Sequence, residues 1–431
     1  MVNLNANAAA LHQSGIQAVR QGRVAEGRAL IERAVAADRT SVQYLVDLAQ
    51  VQIMSHDQMG AIESFRRALK LDPGIVPAWL NLGLLLMHTD RVDEAAGCFE
   101  KAAKLNPKLI DAHNGLGVVR QRQRRLGDAA AAFERAAKLD PNNPELCSNL
   151  GSVLYESGQP EKALPYLKKA TELAPKHAPL HAHLGLVMHE LHGPEAGLPH
   201  FDEALRLSPD DARTLATKGS ALLELGRAEE AAEIFDHDAL LVTRKFEAAP
   251  GYPDMAAFNA ALAEHSVNHP TFIVEPKGRT TRGGGQTDQL FGPETGPFAV
   301  LEDLIRGAID EYFADTARQT HRYMPQRTGR GALDAWATVL DSGGYQDPHN
   351  HPSGILSGVY YVQLPDTGDA GAIEFGRPAP PFSPKSEPDV VLIRPEPGMV
   401  VLFPSFFWHR TIPFPGTGRR ISIAFDLIMN R

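Results

Sequence analysis

The sequence has no long apolar run. A helix that spans a membrane needs about 20 consecutive apolar residues, and no stretch of this 431-residue chain approaches that length. The opening stretch, MVNLNANAAALHQSG, also lacks the basic segment and apolar core of a secretory signal. We therefore expect neither a membrane span nor secretion.

Cysteine is scarce as well. Two thiols, Cys98 and Cys147, cannot build a disulfide framework, and a chain without one is typical of a reducing compartment. We therefore expect a cytoplasmic protein. Both cysteines fall within the helical pattern described below, which predicts buried thiols rather than a redox pair.

Positive charge is not in excess. The formal net charge is −9, with 43 lysines and arginines against 52 aspartates and glutamates. A general nucleic-acid binder needs a basic face that neutralises phosphates, so we expect no nucleic-acid partner. The length exceeds that of one ordinary core and predicts two or three domains.

What the chain does have is an internal repeat. Small residues recur with a spacing of 34 at Gly15, Ala49, Gly83, Gly117, Gly151, Gly185 and Gly219. A large residue follows 16 positions after each of them, at Ile31, Phe65, Phe99, Phe133, Leu167, Phe201 and Phe235. Prolines close the central units at Pro73, Pro107, Pro141, Pro175 and Pro209. This pattern predicts pairs of antiparallel helices, because the small residue permits close approach, the large one fills the space and proline ends the second helix.

This period and pattern resemble the tetratricopeptide repeat, most clearly in AWLNLGLLLMHTDRVDEAAGCFEKAAKLNP at 78–107. The resemblance implies an α-solenoid of about seven units over residues 1–245. Such arrays resemble peptide-binding superhelices with a concave groove. We therefore expect a protein or peptide partner in the groove, with a spacer or an oligomerisation surface as the alternative. The paired Lys/Arg clamp that some family members use for a C-terminal carboxylate is not evident.

The repeat stops after Phe235, and we place a second domain at 246–431. Its helical segment, 253–320, contains the amphipathic stretch PFAVLEDLIRGAIDEYFADTA. Within that segment no Lys-Ser/Thr follows the glycines 283–285, so they do not form a phosphate-binding loop. We expect a mobile loop there, which acts as a lid if it lies over the site. Short apolar runs separated by proline and glycine predict a β-barrel core at 331–431.

Histidines are the candidate metal ligands of the barrel. His349 and His351 lie two positions apart, and on a strand such side chains point the same way and can bind one ion together. His409 lies beside aromatic residues at the end of a later apolar run. Three ligands leave positions for a bidentate co-substrate and oxygen. The same parity places Arg420 and Ser422 on one face, where a guanidinium beside a hydroxyl suits a carboxylate.

A His-x-Asp/Glu pair, a distant His and, after ten intervening residues, Arg-x-Ser form the signature of the Fe(II)/2-oxoglutarate-dependent dioxygenases, which this pattern resembles. The phrases HNHPSGILSGVYYVQLP, GMVVLFPSFFWH and RRISIAFDL resemble a bacterial and phage subgroup. The resemblance implies a double-stranded β-helix, that is, a jelly-roll or cupin-like barrel with flanking helices. It also implies His349 and His409 as ligands and Arg420 as the co-substrate residue. Fe(II) is then the cofactor, 2-oxoglutarate and O2 are the co-substrates, and no catalytic side chain is needed beyond the metal site.

One position departs from that family. His351 stands where its carboxylate ligand is expected. Three alternatives stay open: a three-histidine site, a two-histidine site with water resembling the aspartyl/asparaginyl hydroxylases, or a carboxylate from Asp347 or Glu374. Imidazoles also suit zinc, nickel and copper, so the replacement bears on the choice of metal.

Other pocket residues are indicated less directly. Tyr360 and Tyr361 alternate faces, so one of them points inward, and we take Tyr361 as the candidate for contact with the co-substrate. Arg419 is an alternative carboxylate anchor with the wrong parity relative to Ser422. Further pocket candidates are Trp336, Glu374 and Arg377.

The sequence therefore predicts an Fe(II)/2-oxoglutarate-dependent dioxygenase that hydroxylates a protein, peptide or other repeat-recruited substrate and releases succinate and CO2. One alternative is a non-catalytic interaction protein with a degenerate barrel. Another is a cupin-type metal enzyme that does not use 2-oxoglutarate. Cupins also use His-x-His but need a Glu a few residues later, where Ile355 and Leu356 stand here.

Overall fold

The computed structural model describes residues 2–276, 278–292, 296–365, 371–385, 387–415 and 417–429, with side chains from residue 7 onward. The chain divides into two compact units, Met1–Pro175 and Lys176–Arg431. Within the described ranges, no helix combines the length and the apolarity that crossing a membrane requires.

Helices form the first unit and continue into the second. The first unit contains α1 (Val2–Arg20), α2 (Val24–Ala37), α3 (Val42–Met54), α4 (Gln58–Leu71), α5 (Val76–His88), α6 (Val92–Leu105), α7 (Ile110–Arg122), α8 (Leu126–Leu139), α9 (Pro144–Glu156) and α10 (Pro160–Leu173). The second unit begins with α11 (Ala178–His192), α12 (Pro194–Leu207), α13 (Ala212–Glu224), α14 (Ala228–Ile234) and α15 (His237–Leu240). Over the described residues, α1 to α14 form the seven helix pairs that the repeat predicts.

The small and large residues of the repeat meet inside each pair. A Cβ added to Gly117 would lie 2.5 Å from the Phe133 ring, and one added to Gly185 would lie 2.6 Å from the Phe201 ring. Both rings are 1% exposed. At these two positions the ring leaves no room for a side chain on the facing helix, which confirms the packing predicted from the 34-residue spacing.

The proline carbonyls between units have donors that recur at the same spacing. Trp79 Nε1 donates to the carbonyl of Pro73 at 2.8 Å, and His113 Nε2 donates to that of Pro107 at 2.9 Å. The Cys147 thiol contacts the carbonyl of Pro141 at 3.6 Å. Cys147 thus occupies a structural donor position of the repeat.

Both thiols are buried, as predicted, and are expected to be unreactive in the native protein. Burial raises the pKa of Cys98 to about 11 and raises that of Cys147, so little of the nucleophilic thiolate exists at pH 8. An aromatic disulfide reagent should therefore titrate neither thiol until guanidinium unfolds the chain, and then both. A control thiol in Met59→Cys, at a side chain 64% exposed, should react at once. Rapid native reaction of Cys98 or Cys147 would contradict the prediction.

The rest of the second unit is an antiparallel sheet with three further helices. The strands are β1 (Val242–Lys245), β2 (Ile273–Val274), β3 (Thr281–Gln286), β4 (Ala332–His349), β5 (Leu356–Gln363), β6 (Ile373–Phe375), β7 (Val391–Ile393), β8 (Met399–Pro404), β9 (His409–Thr411) and β10 (Arg420–Ile428). The helices are α16 (Met255–Val267), α17 (Pro297–Ala314) and α18 (Thr316–Gln319). The strand order is β1-β8-β5-β10-β4-β9-β6-β7, and β3 joins β2 and β4 at the side.

The sheet curls so that its two faces have different roles. Along β10, Ile421, Ile423 and Phe425 belong to the large core shared with α16 and α17. The alternate residues from Arg420 to Asp426 are polar or small and face the other way, toward the histidines. The fold is an α-solenoid followed by an antiparallel, jelly-roll-like barrel with flanking helices, as expected.

One local expectation is wrong. The glycines 283–285 are not a mobile loop but the centre of β3, which pairs with β4 through Gly284 and Leu340. A Cβ on Gly284 would collide with the carbonyl of Val339. Gly283 has a positive φ of 66°, a conformation that favours glycine, at an irregularity in the pairing. The glycines are present because two backbones approach closely, so they do not form a lid.

The last repeats and the barrel share one core inside the second unit. The Phe235 ring lies 6.1 Å from that of Phe407, and Tyr312 Oη donates to the carbonyl of Leu240 at 2.8 Å. Trp408 Nε1 donates to Ser220 Oγ on α13 at 3.0 Å. The segment just before His409 is therefore held against a helix of the repeat.

Candidate metal centre

Three histidines converge at one end of the barrel. His349 ends β4, and its backbone pairs with that of His409 at the start of β9. His351 follows β4, where its N–H donates to the carbonyl of Ser405 at 2.9 Å. One nitrogen from each of the three rings lies within 4.8 Å of the others, which is close enough for one metal ion.

The hydrogen bonds of these rings fix which nitrogen is free. Nδ1 of His349 donates to the carbonyl of Asp347 at 2.7 Å, and Nδ1 of His409 donates to that of Phe407 at 3.1 Å. Nδ1 of His351 donates to the Asp426 carboxylate at 2.9 Å. Because all three acceptors lack a proton, each ring carries its proton on Nδ1 and offers the Nε2 lone pair to a metal.

Two of the rings are also held neutral. Burial lowers the pKa of His349 to about 3, with a further contribution from His351, and burial lowers the pKa of His409 well below its ordinary range. Metal binding requires an unprotonated imidazole nitrogen. His349 and His409 can therefore bind a metal at neutral pH without first releasing protons.

Aromatic rings surround the three imidazoles. Trp336 stacks on His351 with ring centroids 5.5 Å apart, and Phe403 lies 4.8 Å from His409. Phe375 lies 5.9 Å from His409. These rings exclude water from the protein side of the site and lower the local dielectric constant.

A buried guanidinium lies on the strand that follows β9. Arg420 is 1% exposed; its Nε donates to the carbonyl of Gly371 and its NH1 to Ser422 Oγ, both at 3.0 Å. Gly371 in turn donates its N–H to the carbonyl of Ile412, three residues beyond His409. Among the residues that the structure describes, no carboxylate pairs with Arg420. An unpaired buried cation is costly, so an anionic ligand bound beside Arg420 would be stabilised.

Polar side chains lie on the same face of the sheet as Arg420. Ser422 pairs across the sheet with Tyr361 on β5 and Thr338 on β4. The Tyr361 ring lies 5.1 Å from the Arg420 guanidinium carbon. Its hydroxyl is buried without a good hydrogen bond to any described residue, and burial raises its pKa to about 12. Gln286 donates to Thr338 Oγ1 at 3.3 Å.

Several sequence candidates lie elsewhere. Asp347 pairs with Arg282 at 2.9 Å, and Glu374 pairs with Arg410 at 2.7 Å. Glu374 lies opposite Arg410, on the face of β6 that points away from the ring of Phe375 and therefore from His409. Both carboxylates are thus engaged by arginines rather than by the three histidines.

Of the remaining candidates, one faces Arg420 and the others point elsewhere. Tyr360 faces the helices, where its hydroxyl donates to Asn259 Oδ1 at 2.6 Å, whereas Tyr361 faces Arg420. Arg419 is exposed and pairs with Asp341 at 3.0 Å. Arg377 forms ion pairs with Glu374 and Glu387 at 3.1 and 3.3 Å.

Sequence reasoning missed Asp426. It lies on the same face of β10 as Arg420 and Ser422, so the parity that linked those two residues also identifies Asp426 as inward-facing. Its partner His351 is 75 residues away in sequence. That contact is not evident from local spacing.

Comparison with known families agrees with both halves of this description. A family model described as "Putative 2OG-Fe(II) oxygenase" matches residues 334–426, a range that contains His349, His351, His409, Arg420 and Asp426. A model described as "Cilia and flagella-associated protein 70 C-terminal domain" matches residues 3–218, half of the chain, and one described as "Tetratricopeptide repeat" matches 184–253. The chain belongs to the tetratricopeptide-repeat family matched over 3–218, and its residues 334–426 match the 2OG-Fe(II) oxygenase model. The family of that domain implies Fe(II) and 2-oxoglutarate.

Solved structures similar to the chain include a tetratricopeptide-repeat protein, YrrB. YrrB, described as a protein "with an unusual peptide-binding site", is 26% identical, with 41% of this chain and 91% of YrrB covered and a TM-score of 0.37. MamA is 24% identical, with 38% and 95% covered and a TM-score of 0.36. PilF of Pseudomonas aeruginosa is 20% identical, with 48% and 94% covered and a TM-score of 0.40. Comparison with the curated protein sequences gives no significant match.

Proposed function

We propose that the oxygenase domain is an Fe(II)/2-oxoglutarate-dependent enzyme whose metal is held by His349, His351 and His409. The observation that carries the proposal is the convergence of three imidazoles whose Nδ1 atoms all donate to acceptors, which leaves each Nε2 free for a metal. Three protein ligands leave coordination positions for a co-substrate and O2. The engagement of Asp347 and Glu374 by arginines favours the three-histidine alternative for the third ligand.

Arg420 is the proposed anchor for the distal carboxylate of 2-oxoglutarate. The guanidinium is buried, is oriented by Gly371 and Ser422, and has no carboxylate partner among the described residues. A guanidinium binds a carboxylate with two parallel hydrogen bonds. The buried Tyr361 hydroxyl is available as a further donor to the same anion.

The bound metal and co-substrate supply the oxidising chemistry, in which O2 is consumed and succinate and CO2 are released. The chain itself positions the reactants and excludes water. Trp336, Phe375 and Phe403 form an apolar lining around the imidazoles. No side-chain nucleophile or general base is required, and hydroxylation of a C–H bond is the proposed outcome.

The proposed substrate is a protein or peptide recruited by the repeats. Tetratricopeptide repeats are protein-interaction modules, and here the last of them adjoins the metal-bearing segment through Trp408 and Ser220. First helices of successive units also carry carboxamides, such as Asn114 and Asn149, which bond each other at 3.0 Å. Such groups can donate to and accept from a peptide backbone.

His409→Ala is expected to abolish metal and co-substrate binding together. Anaerobic Fe(II) and 2-oxoglutarate should give the wild-type protein a visible charge-transfer band, and calorimetry should detect 2-oxoglutarate binding. Loss of a direct ligand should lower the affinity for the metal by more than the ~100-fold that loss of an outer hydrogen-bond partner costs. His265→Ala, at an exposed histidine bonded to the carbonyl of Ala261, is the matched control and should keep the band.

Two results would count against the proposal in different ways. A wild-type protein that cannot be loaded with any metal supports the non-catalytic interaction protein. A protein that binds metal through His349 and His409 but shows neither a band nor 2-oxoglutarate binding supports the cupin-type alternative.

A further inference from the structure

Asp426 is a buried carboxylate directly behind His351. It is 7% exposed, and its two oxygens have different partners. Oδ2 accepts the Nδ1 proton of His351 at 2.9 Å, and Oδ1 accepts the hydroxyl proton of Ser357 at 2.6 Å. Both oxygens of the carboxylate are therefore used, and its orientation is fixed.

The surroundings of Asp426 are built around this contact. Ser357 Oγ also lies 2.8 Å from Ser405 Oγ, and the carbonyl of Ser405 accepts the backbone N–H of His351. A Cβ added to Gly354 would lie 2.7 Å from Ser405 Oγ and 3.3 Å from Asp426 Cβ. The chain thus leaves space for the carboxylate and fixes His351 from both its backbone and its ring.

His351 differs from the other two imidazoles in its acceptor. The Nδ1 protons of His349 and His409 go to neutral backbone carbonyls, whereas that of His351 goes to a carboxylate. A carboxylate behind a ligand histidine fixes its tautomer and increases its basicity as a ligand. The only ring of the three with this support occupies the position where the family has a negatively charged ligand.

We propose that Asp426 is the positioning residue for His351, an inference that rests on the proposed metal site. Asp426 keeps the proton on Nδ1 of His351 and so orients Nε2 toward the metal position. It also supplies a negative charge, one imidazole away from the metal, in place of the charge of a direct carboxylate ligand. The negative charge that the family places on a direct ligand is thus kept, on a carboxylate that bonds the ligand histidine instead of the metal. Arg420 and Asp426 then use one face of the same strand for the co-substrate and for the metal.

Co(II) loaded into the full-length chain provides the test. Three exchangeable, paramagnetically shifted Nδ1–H proton resonances are expected, one from each ligand histidine. In Asp426→Asn, the His351 resonance should shift or exchange rapidly while the other two persist, and Co(II) affinity should fall ~10- to 100-fold, the usual cost of losing an outer-shell partner. Loss of affinity with all three resonances unchanged would mean a general charge effect and would overturn the assignment.

Asp334→Asn is the matched control. Asp334 lies opposite Asp426 in the pairing of β4 with β10 but does not bond His351. The substitution therefore removes an equal charge from the same face of the sheet. Its Co(II) affinity should stay within about two-fold of wild type, well below the outer-partner cost. Equal losses in both variants would overturn the proposal, because only net charge would then matter.

A second variant tests the same contact without altering Asp426. Ser357→Ala removes the hydrogen bond to Asp426 Oδ1. The carboxylate then becomes a stronger acceptor for the Nδ1 proton of His351. The His351 resonance should shift while those of His349 and His409 do not. No shift would overturn the proposal even if Asp426→Asn does not fold. Failure of wild-type protein to bind Co(II) would instead refute the metal site itself.

Discussion

A chain that begins at Lys176 is expected to fold, bind metal and turn over 2-oxoglutarate, whereas a chain that begins at residue 246 is expected not to fold. The reason is the core that the last repeats share with the barrel. Phe235 packs against Phe407, and Trp408 donates to Ser220. Removing one buried Phe costs about 3–5 kcal/mol, and a domain has only about 5–15 kcal/mol in total.

The measurements are circular dichroism, gel filtration, metal content and succinate formation without added substrate. The shorter chain should be aggregated or unfolded and free of metal. The longer chain should keep the uncoupled turnover of 2-oxoglutarate but lose activity on any substrate that the first unit helps to recruit. A folded, metal-binding chain from residue 246 would show that the shared core is dispensable.

Point variants at equivalent repeat positions give the matched comparison. Phe99 and Phe235 occupy the same place in different units and are 0% and 6% exposed. Phe99→Ala should destabilise the first unit and leave metal affinity unchanged. Phe235→Ala should also lower metal affinity, because the ring contacts the segment that carries His409. Equal effects on metal affinity would refute the coupling.

The helical half was predictable because its information is local. Gly117 and Phe133 lie 16 residues apart, and the same spacing recurs in all seven units, so seven copies of the same signal reinforce one another. The corresponding contact is present in each unit that has glycine at this position. The strands of the barrel were predictable as a class for a similar reason. Their pairing was not, because β10 lies between β5 and β4, which are distant from it in sequence.

The glycines of β3 and the carboxylate of Asp426 are two features that local sequence does not predict, because each depends on a segment distant in sequence. A run of three glycines favours a flexible loop when only neighbours are considered, and a strand when Val339 of another segment lies against it. Asp426 is an ordinary strand residue until His351 is placed beside it. Parity did identify the face of Arg420 and Ser422, and it would have included Asp426 had the alternation been followed to the end of the strand.

Arg420→Met is expected to lower the affinity for 2-oxoglutarate by about two to three orders of magnitude, since truncating one partner of a buried charge pair costs about 2–5 kcal/mol. Metal affinity should be unchanged, because Arg420 bonds Gly371 and Ser422 rather than a ligand histidine. Arg420→Lys should recover part of the affinity, since lysine retains the charge but not the planar, two-pronged geometry of the guanidinium.

The neighbouring arginine provides the control. Arg419→Met removes the same charge one position earlier, on the opposite face of the chain, where Arg419 pairs with Asp341 in solvent. Exposed pairs contribute about 0–1 kcal/mol, so 2-oxoglutarate binding measured by calorimetry should be unchanged. If Arg419→Met weakens binding and Arg420→Met does not, the anion is held outside the barrel. The buried guanidinium then serves the fold alone, because its hydrogen bonds to Gly371 and Ser422 would remain its whole function.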